Sequence, residues 1–89
     1  MSADRARADI WLWRARFFRT RSLAHAACES GVARCHGHRI DKGYLLKPGN
    51  VLTFAQGPRL RTVKVLALGA RRGPPAEAAA LFEDLHAPV

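Results

Sequence analysis

What the 89-residue chain has least of is negative charge: seven Asp and Glu stand against fifteen Lys and Arg. The four acids of the basic region, Asp4, Asp9, Glu29 and Asp41, are scattered, so paired carboxylates for acid–base work are missing. No nucleophile with a neighbouring base and no glycine-rich phosphate loop is present either, which argues against an enzyme. Cysteine is nearly absent. Cys28 and Cys35 are too few for a disulfide framework and are expected as thiols in a reducing compartment. No apolar run approaches the about 18 residues of a membrane span, and the opening MSADRARAD is too charged for a signal peptide, so a cytoplasmic protein is expected. Internal repeats are lacking, and the only low-complexity tract is the short alanine run at 78–80.

What is present is positive charge, unevenly placed. Residues 1–72 hold all 15 cations against four acids, net +11, whereas residues 73–89 hold only Glu77, Glu83 and Asp84. Twelve of the cations are arginine, whose planar fork suits phosphate oxygens and base edges. A field of this size favours polyanionic partners, with nucleic acid foremost. The 48% apolar content is enough for one small folded domain.

Hydrophobic periodicity predicts a helix from Asp9 through about Phe17, with Ala8, Trp11, Leu12 and Ala15 on its buried side. Thr20 or Ser22 caps a second helix carrying Leu23, Ala26 and Ala27 as its stripe, which ends at Gly31. The period then changes to two. Val32–Cys35 and His38–Ile40 flank a His36-Gly37 turn, and Lys47-Pro48-Gly49-Asn50 has the residues of a type II turn. Val51–Phe54 and Leu60–Leu66 follow as strands on either side of a turn at Gln56–Pro58. Arg71–Pro75 reads as a linker, and Ala76–Leu85 as a helix with Ala78, Leu81, Phe82 and Leu85 on one face. This divides the chain into residues 1–70 as the binding domain and 71–89 as a linker with a short acidic helix.

Arg14, Arg16, Arg19 and Arg21 surround Phe17 and Phe18 at the junction of the two predicted helices. Free amides at the start of the second helix favour an anion there, so Thr20, Arg21 and Ser22 are candidates to grip a phosphate together. On the simpler alternative the rings are core and the arginines only solubilise. His25, Cys28, Cys35 and His38 form H-x-x-C-x6-C-x-x-H, a set with zinc-ligand chemistry. The six-residue gap is short for a finger and Cys28 reads as a small buried residue, so no metal and no other cofactor is expected.

The run R-A-D-I-W-L-W-R-A-R-F-F-R-T-R-S-L-A, followed in order by G-V-A-R-C-H-G-H-R, K-P-G-N-V-L-T-F, R-T-V-K-V-L and R-R-G-P-P-A-E-A-A-A-L-F-E, resembles the bacterial fifteen-kilodalton ribosome-associated heat-shock protein family. That family belongs to the RNA-binding superfamily named after small-subunit ribosomal protein four. The resemblance implies an α+β fold in which two N-terminal helices pack on a small antiparallel sheet, the alpha-L RNA-binding motif, with a short C-terminal helix. By position it implies RNA contacts from Arg7, Arg16, Arg19, Thr20, Arg21, Ser22, Gly37 and Arg39. His36 and Lys42 join them from the residues themselves, the first as a ring near RNA and the second as a cation beside Asp41. The implied ligand is ribosomal RNA of the large subunit, with tRNA as a further candidate, bound by a monomer that has no membrane partner and acts in the heat-shock response. The runner-up is an RNA-binding accessory subunit of an RNA-modifying enzyme; duplex DNA is a third ligand class. The sequence departs from the family at Ala8, His36 and Asp41-Lys42, and the family's basic C-terminal extension is not matched.

Overall fold

In the computed structural model, which describes residues 5–85, helix α1 (Ala8–Arg14) is shorter than its apolar period suggests. It ends because Arg16 takes a left-handed backbone, φ 66°, and the next amides turn back: Arg16 N–H donates to Trp13 O at 3.1 Å and Phe17 N–H to Leu12 O at 3.1 Å. That pair of bonds is a Schellman motif with arginine where glycine is usual. Phe17, expected on the helix, is thereby swung into the core. It meets Phe54 edge-on at 4.9 Å and Phe82 at 4.6 Å, and lies 6.1 Å from Trp11.

Helix α2 (Arg21–Glu29) begins at Thr20, whose Oγ1 accepts from Leu23 N–H at 3.1 Å. Its buried stripe is Ala24 and Cys28; Leu23 and Ala26 are exposed, a shift of one position from the stripe the sequence suggested. Narrow alanine-rich helices carry too little apolar contrast to fix that rotation, which packing of α1 decides. Gly31, at φ 83°, closes the helix as expected. Replacing Thr20 with Ala should cost about 1 kcal/mol of stability, read as a lowered denaturant midpoint with an unchanged m-value.

A five-stranded antiparallel sheet runs in the order β3 (His38–Arg39), β2 (Arg34–Cys35), β5 (Val51–Gln56), β6 (Arg59–Val65) and β7 (Phe82–Asp84). Two turns fall where the sequence put them. His36 and Gly37 both have positive φ, 51° and 84°, as a type I′ hairpin requires, and Asn50 N–H reaches Lys47 O at 3.1 Å around Gly49, φ 98°. Leu52, Phe54, Val63 and Val65 face the helices and are fully buried, while Lys64 points outward.

Two elements were not expected. β1 (Ala6–Arg7) pairs with β4 (Leu45–Leu46) as a separate ribbon that fixes the start of α1. The tail contributes a one-turn helix, α3 (Pro75–Ala79), where ten residues of helix were anticipated, and then strand β7 along β6. Ala78 and Leu81 are buried as the helical face predicted, but Phe82 belongs to the sheet and Leu85 is partly exposed. Part of the segment expected as the acidic helix, Phe82–Asp84, thus folds back as the edge of the main sheet, and just before the tail Trp11 Nε1–H donates to Ala67 O at 2.9 Å.

Candidate nucleic-acid interface

The opening arginine cluster divides into two jobs. Arg14 donates from Nη1 to Gly69 O at 3.0 Å, and Arg16 from Nε to Gly73 O at 2.7 Å. Arg72 returns the exchange, donating from Nε to Trp13 O at 3.1 Å and from Nη2 to Phe18 O at 3.4 Å. Arg72 reaches carbonyls where α1 ends and the chain turns, Arg14 and Arg16 reach carbonyls of residues 68–73, and together they stitch that segment to the corner. Arg16, expected purely as an RNA contact, is therefore also a structural tie, although its side chain lies in an exposed residue.

Arg19 and Arg21 are the outward pair. Arg19 is exposed and has neither an ion pair nor a hydrogen bond to another described residue. Arg21 sits at the first turn of α2 with its guanidinium carbon 5.8 Å from the Trp13 ring centre, and Arg72 holds the same ring at 5.7 Å. Trp13 thereby orients two cations without neutralising either. Thr20 is occupied as the helix cap, and Ser22 is exposed beside Arg21.

Arg7, Arg21 and Ser22 meet in an open cleft of about 370 Å³ whose other walls are Asp9 and His25. Asp9, 6% exposed, is bound by Arg7 through Nε at 3.2 Å and Nη2 at 2.9 Å, and accepts from Ile10 N–H at 2.8 Å. The hydrogen bond and charge of Asp9 push the Arg7 pKa up, so its positive charge is fixed. Asp9 thus serves as the partner of Arg7 and not as the cap of α1, whose N-cap is Arg7 itself.

The hairpin residues stand apart from this cleft. His36 turns its ring back on β5, accepting at Nε2 from Val51 N–H at 3.4 Å with Asn50 Nδ2 at 3.5 Å, while Gly37 occupies the tip. Arg39 is exposed on β3 and lays its guanidinium over Gly31 at the end of α2, about 3.3 Å from where a Cβ would stand. Lys42 Nζ is 3.9 Å from Glu29 Oε2, so its charge is partly answered within the chain. Arg34, opposite Arg39 in the β2–β3 register, is an exposed cation that the sequence reading missed, as it missed Arg72 and His25. Only for His25 was there a local signal, its four-residue spacing from Arg21.

No group of three or more possible metal ligands assembles among the described residues. Cys28 and Cys35 are buried on separate elements, and burial, reinforced by Asp9 and Glu29, pushes the Cys28 thiol up to about 12. Because the folded value lies above the ordinary thiol value, the neutral thiol's contribution to stability is complete below about pH 8.5 and is lost as the pH rises toward 12. A Cys28→Ala variant should therefore lose less stability than the parent between pH 9 and 11, measured as denaturant midpoints.

No protein-family model matches the chain. Heat shock protein 15 of Escherichia coli (strain K12) is 40% identical over 82 residues, covering 92% of this chain and 62% of that protein. The Haemophilus influenzae heat shock protein 15 homolog is 37% identical over 90 residues, covering 100% of this chain and 68% of its own length. This chain belongs to the heat shock protein 15 family. The trimeric structure of Vibrio cholerae Heat Shock Protein 15 superposes with a TM-score of 0.84 at 32% identity, covering 90% of this chain and 81% of that one. The family resemblance read from the motifs and the α+β arrangement of helices on a small antiparallel sheet both hold. The chain spans 62% of the length of the Escherichia coli relative. The family's name and fold point to no catalytic activity, and no helix among the described residues is long and apolar enough to cross a membrane.

Proposed function

We propose that this family member is a non-catalytic module that binds structured RNA, with ribosomal RNA of the large subunit as its ligand and a role in the heat-shock response. The observation that carries the reading is the helix corner. Arg19 and Arg21 project there without a carboxylate partner, next to Ser22 and the Arg7 cleft, on a scaffold that other arginines brace. Protein surfaces normally intersperse both signs; a rigid corner that leaves its cations unanswered is suited to a fixed array of phosphates. Arg39, Lys42 and the His36-Gly37 tip are proposed as flanking contacts, with His36 limited by its engagement with β5. A single chain builds the corner and the cleft, so a monomer is the proposed binding unit.

For an accessory subunit, the acidic tail would be a surface free to dock a protein. Glu77 instead pairs with Arg71 at 3.0 Å and Asp84 with Arg61 at 3.0 Å, which favours direct RNA binding. Crosslinking to RNA in cells, with sequencing of the bound fragments, tests the reading: large-subunit ribosomal RNA should dominate, and enrichment of messenger RNA or DNA would sink it. In vitro, neutralising about six phosphates should give a log K against log salt slope near −5.

A further inference from the structure

His25 is the one wall of the Arg7–Arg21 cleft that the RNA-face reading leaves without a task. It stands one helical turn beyond Arg21, so both side chains leave the same side of α2. Its Nδ1 lies 3.7 Å from Asp9 Oδ2, beyond a hydrogen bond but within charge attraction. Asp9 is itself buried and immobilised, because Arg7 grips both of its oxygens and the Ile10 amide binds one of them. The two ring nitrogens of an imidazole lie on opposite edges, so facing Nδ1 toward Asp9 leaves Nε2 open to a ligand, as an acceptor in the neutral ring and as a donor once the ring is protonated. Arg7 keeps three of its five N–H groups after the Asp9 pair is made.

We propose that this cleft seats one phosphate group. Arg7 and Arg21 supply the charge, Ser22 Oγ a hydroxyl donor, and the protonated His25 ring, oriented by Asp9, a further donor at Nε2. Counting Asp9, the cleft carries one net positive charge with a neutral imidazole and two with a protonated one, so the seat strengthens as His25 gains its proton. The cleft is open and about 370 Å³ in volume, so it admits a phosphodiester within a chain as well as free phosphate. This assignment to RNA rests on the function proposed above; the seat itself does not.

The charged and titratable groups around His25 are few. Asp9 and Arg7 face it from the β1–α1 junction, Arg21 and Glu29 lie one turn to either side on α2, and from the connection after β3 Lys42 approaches Glu29 while the charge of Asp41 reaches Arg7 and Cys28. Cys28 stays neutral, its thiol pushed up to about 12. Imidazole is the side-chain type among these whose charge ordinarily changes between about pH 5 and 8.

The test has two arms, both on the full chain. Dimethyl phosphate, a diester that stays a monoanion over this range, is titrated at about pH 6 and about pH 8 while the His25 ring resonances are followed by NMR. A saturable shift is expected at the lower pH, weaker at the higher and weakened by Arg21→Gln; no His25 shift at the lower pH, or equal affinity at both, overturns the seat. In the second arm, structured RNA is bound by the parent and by His25→Gln across the same range at fixed ionic strength. The parent should bind roughly two- to fivefold tighter at the lower pH, the scale of one exposed charge contact, and the variant should lose that gain. Parallel pH profiles would remove His25 from RNA recognition and make the cleft a seat for a free phosphate ester if the first arm succeeds. Absence of RNA binding by the parent at any pH would refute the RNA reading, while the phosphate titration still judges the cleft.

Discussion

Replacing Arg19 and Arg21 together with Ala should weaken binding to ribosomal RNA fragments by roughly one to two orders of magnitude at moderate salt, and flatten the log–log salt dependence by about two. Both effects follow from geometry. Neither guanidinium has a carboxylate partner among the described residues, so neither removal leaves a buried charge behind, and the fold should survive the change. Arg21 does lose its contact with Trp13, an exposed interaction on the order of 0.5–1 kcal/mol. Circular dichroism and a denaturant midpoint close to the parent's would separate lost recognition from lost structure. The same double change made at Arg14 and Arg16 should behave differently: those side chains hold carbonyls of residues 68–73, so stability should fall together with affinity. Unchanged salt dependence in the Arg19, Arg21 variant would place the RNA elsewhere on the surface.

The second large effect is on folding. Phe17→Ala should destabilise the protein by about 3–5 kcal/mol, comparable to the whole stability of a small domain at the low end of the usual 5–15 kcal/mol. Phe17 is 7% exposed and joins three separately folded pieces: Trp11 of α1, Phe54 of the central strand and Phe82 of the tail strand. Arg61 also lies over its ring, 5.3 Å from the centre. No neighbour can collapse into the space from all these directions, so the cavity term should be near its full size. Equilibrium unfolding followed by tryptophan fluorescence measures the loss. A cost under about 1 kcal/mol would mean that the tail strand and the corner are not packed as described.

The parts of the fold that were legible in the sequence are those where one residue type meets one backbone requirement. His36-Gly37 and Pro48-Gly49 announced their turns because the conformations needed there admit few residues. The start of α2 was legible as Thr20 or Ser22, because a cap calls for a short side chain with an oxygen, and Thr20 is the one that caps. The end of α1 was not legible, since Arg16 takes a left-handed conformation that an L side chain enters only at a cost of roughly 1–2 kcal/mol; the hydrogen bond to Gly73 and the burial of Phe17 are what hold it there. The tail misled in another way. Ala78, Leu81, Phe82 and Leu85 satisfy a helical period, but the free edge of β6 offers a ladder of backbone partners, and three residues of strand took it. Two-residue strands such as β1 and β4 leave no period to detect.

The candidate interface was legible as a composition and a corner, not as a division of labour. That Arg19 and Arg21 face outward while Arg14, Arg16 and Arg72 hold the corner together depends on contacts spanning more than fifty residues. His25 was hidden for the opposite reason: its zinc-like spacing with Cys28 drew attention along the helix, whereas the group that gives it a context, Asp9, lies across the helix pair.

The arginine stitching between the corner and residues 68–73 has an implication for shortened forms of the protein. A polypeptide cut at residue 67 would keep both helices and the two long strands, yet Arg14 and Arg16 would lose the carbonyls that hold them. Those freed cations would join the outward ones on a looser frame. Such a fragment should cling to heparin and to any RNA or DNA with little preference, so that its retention on a polyanion column rises while its ability to choose among ligands falls.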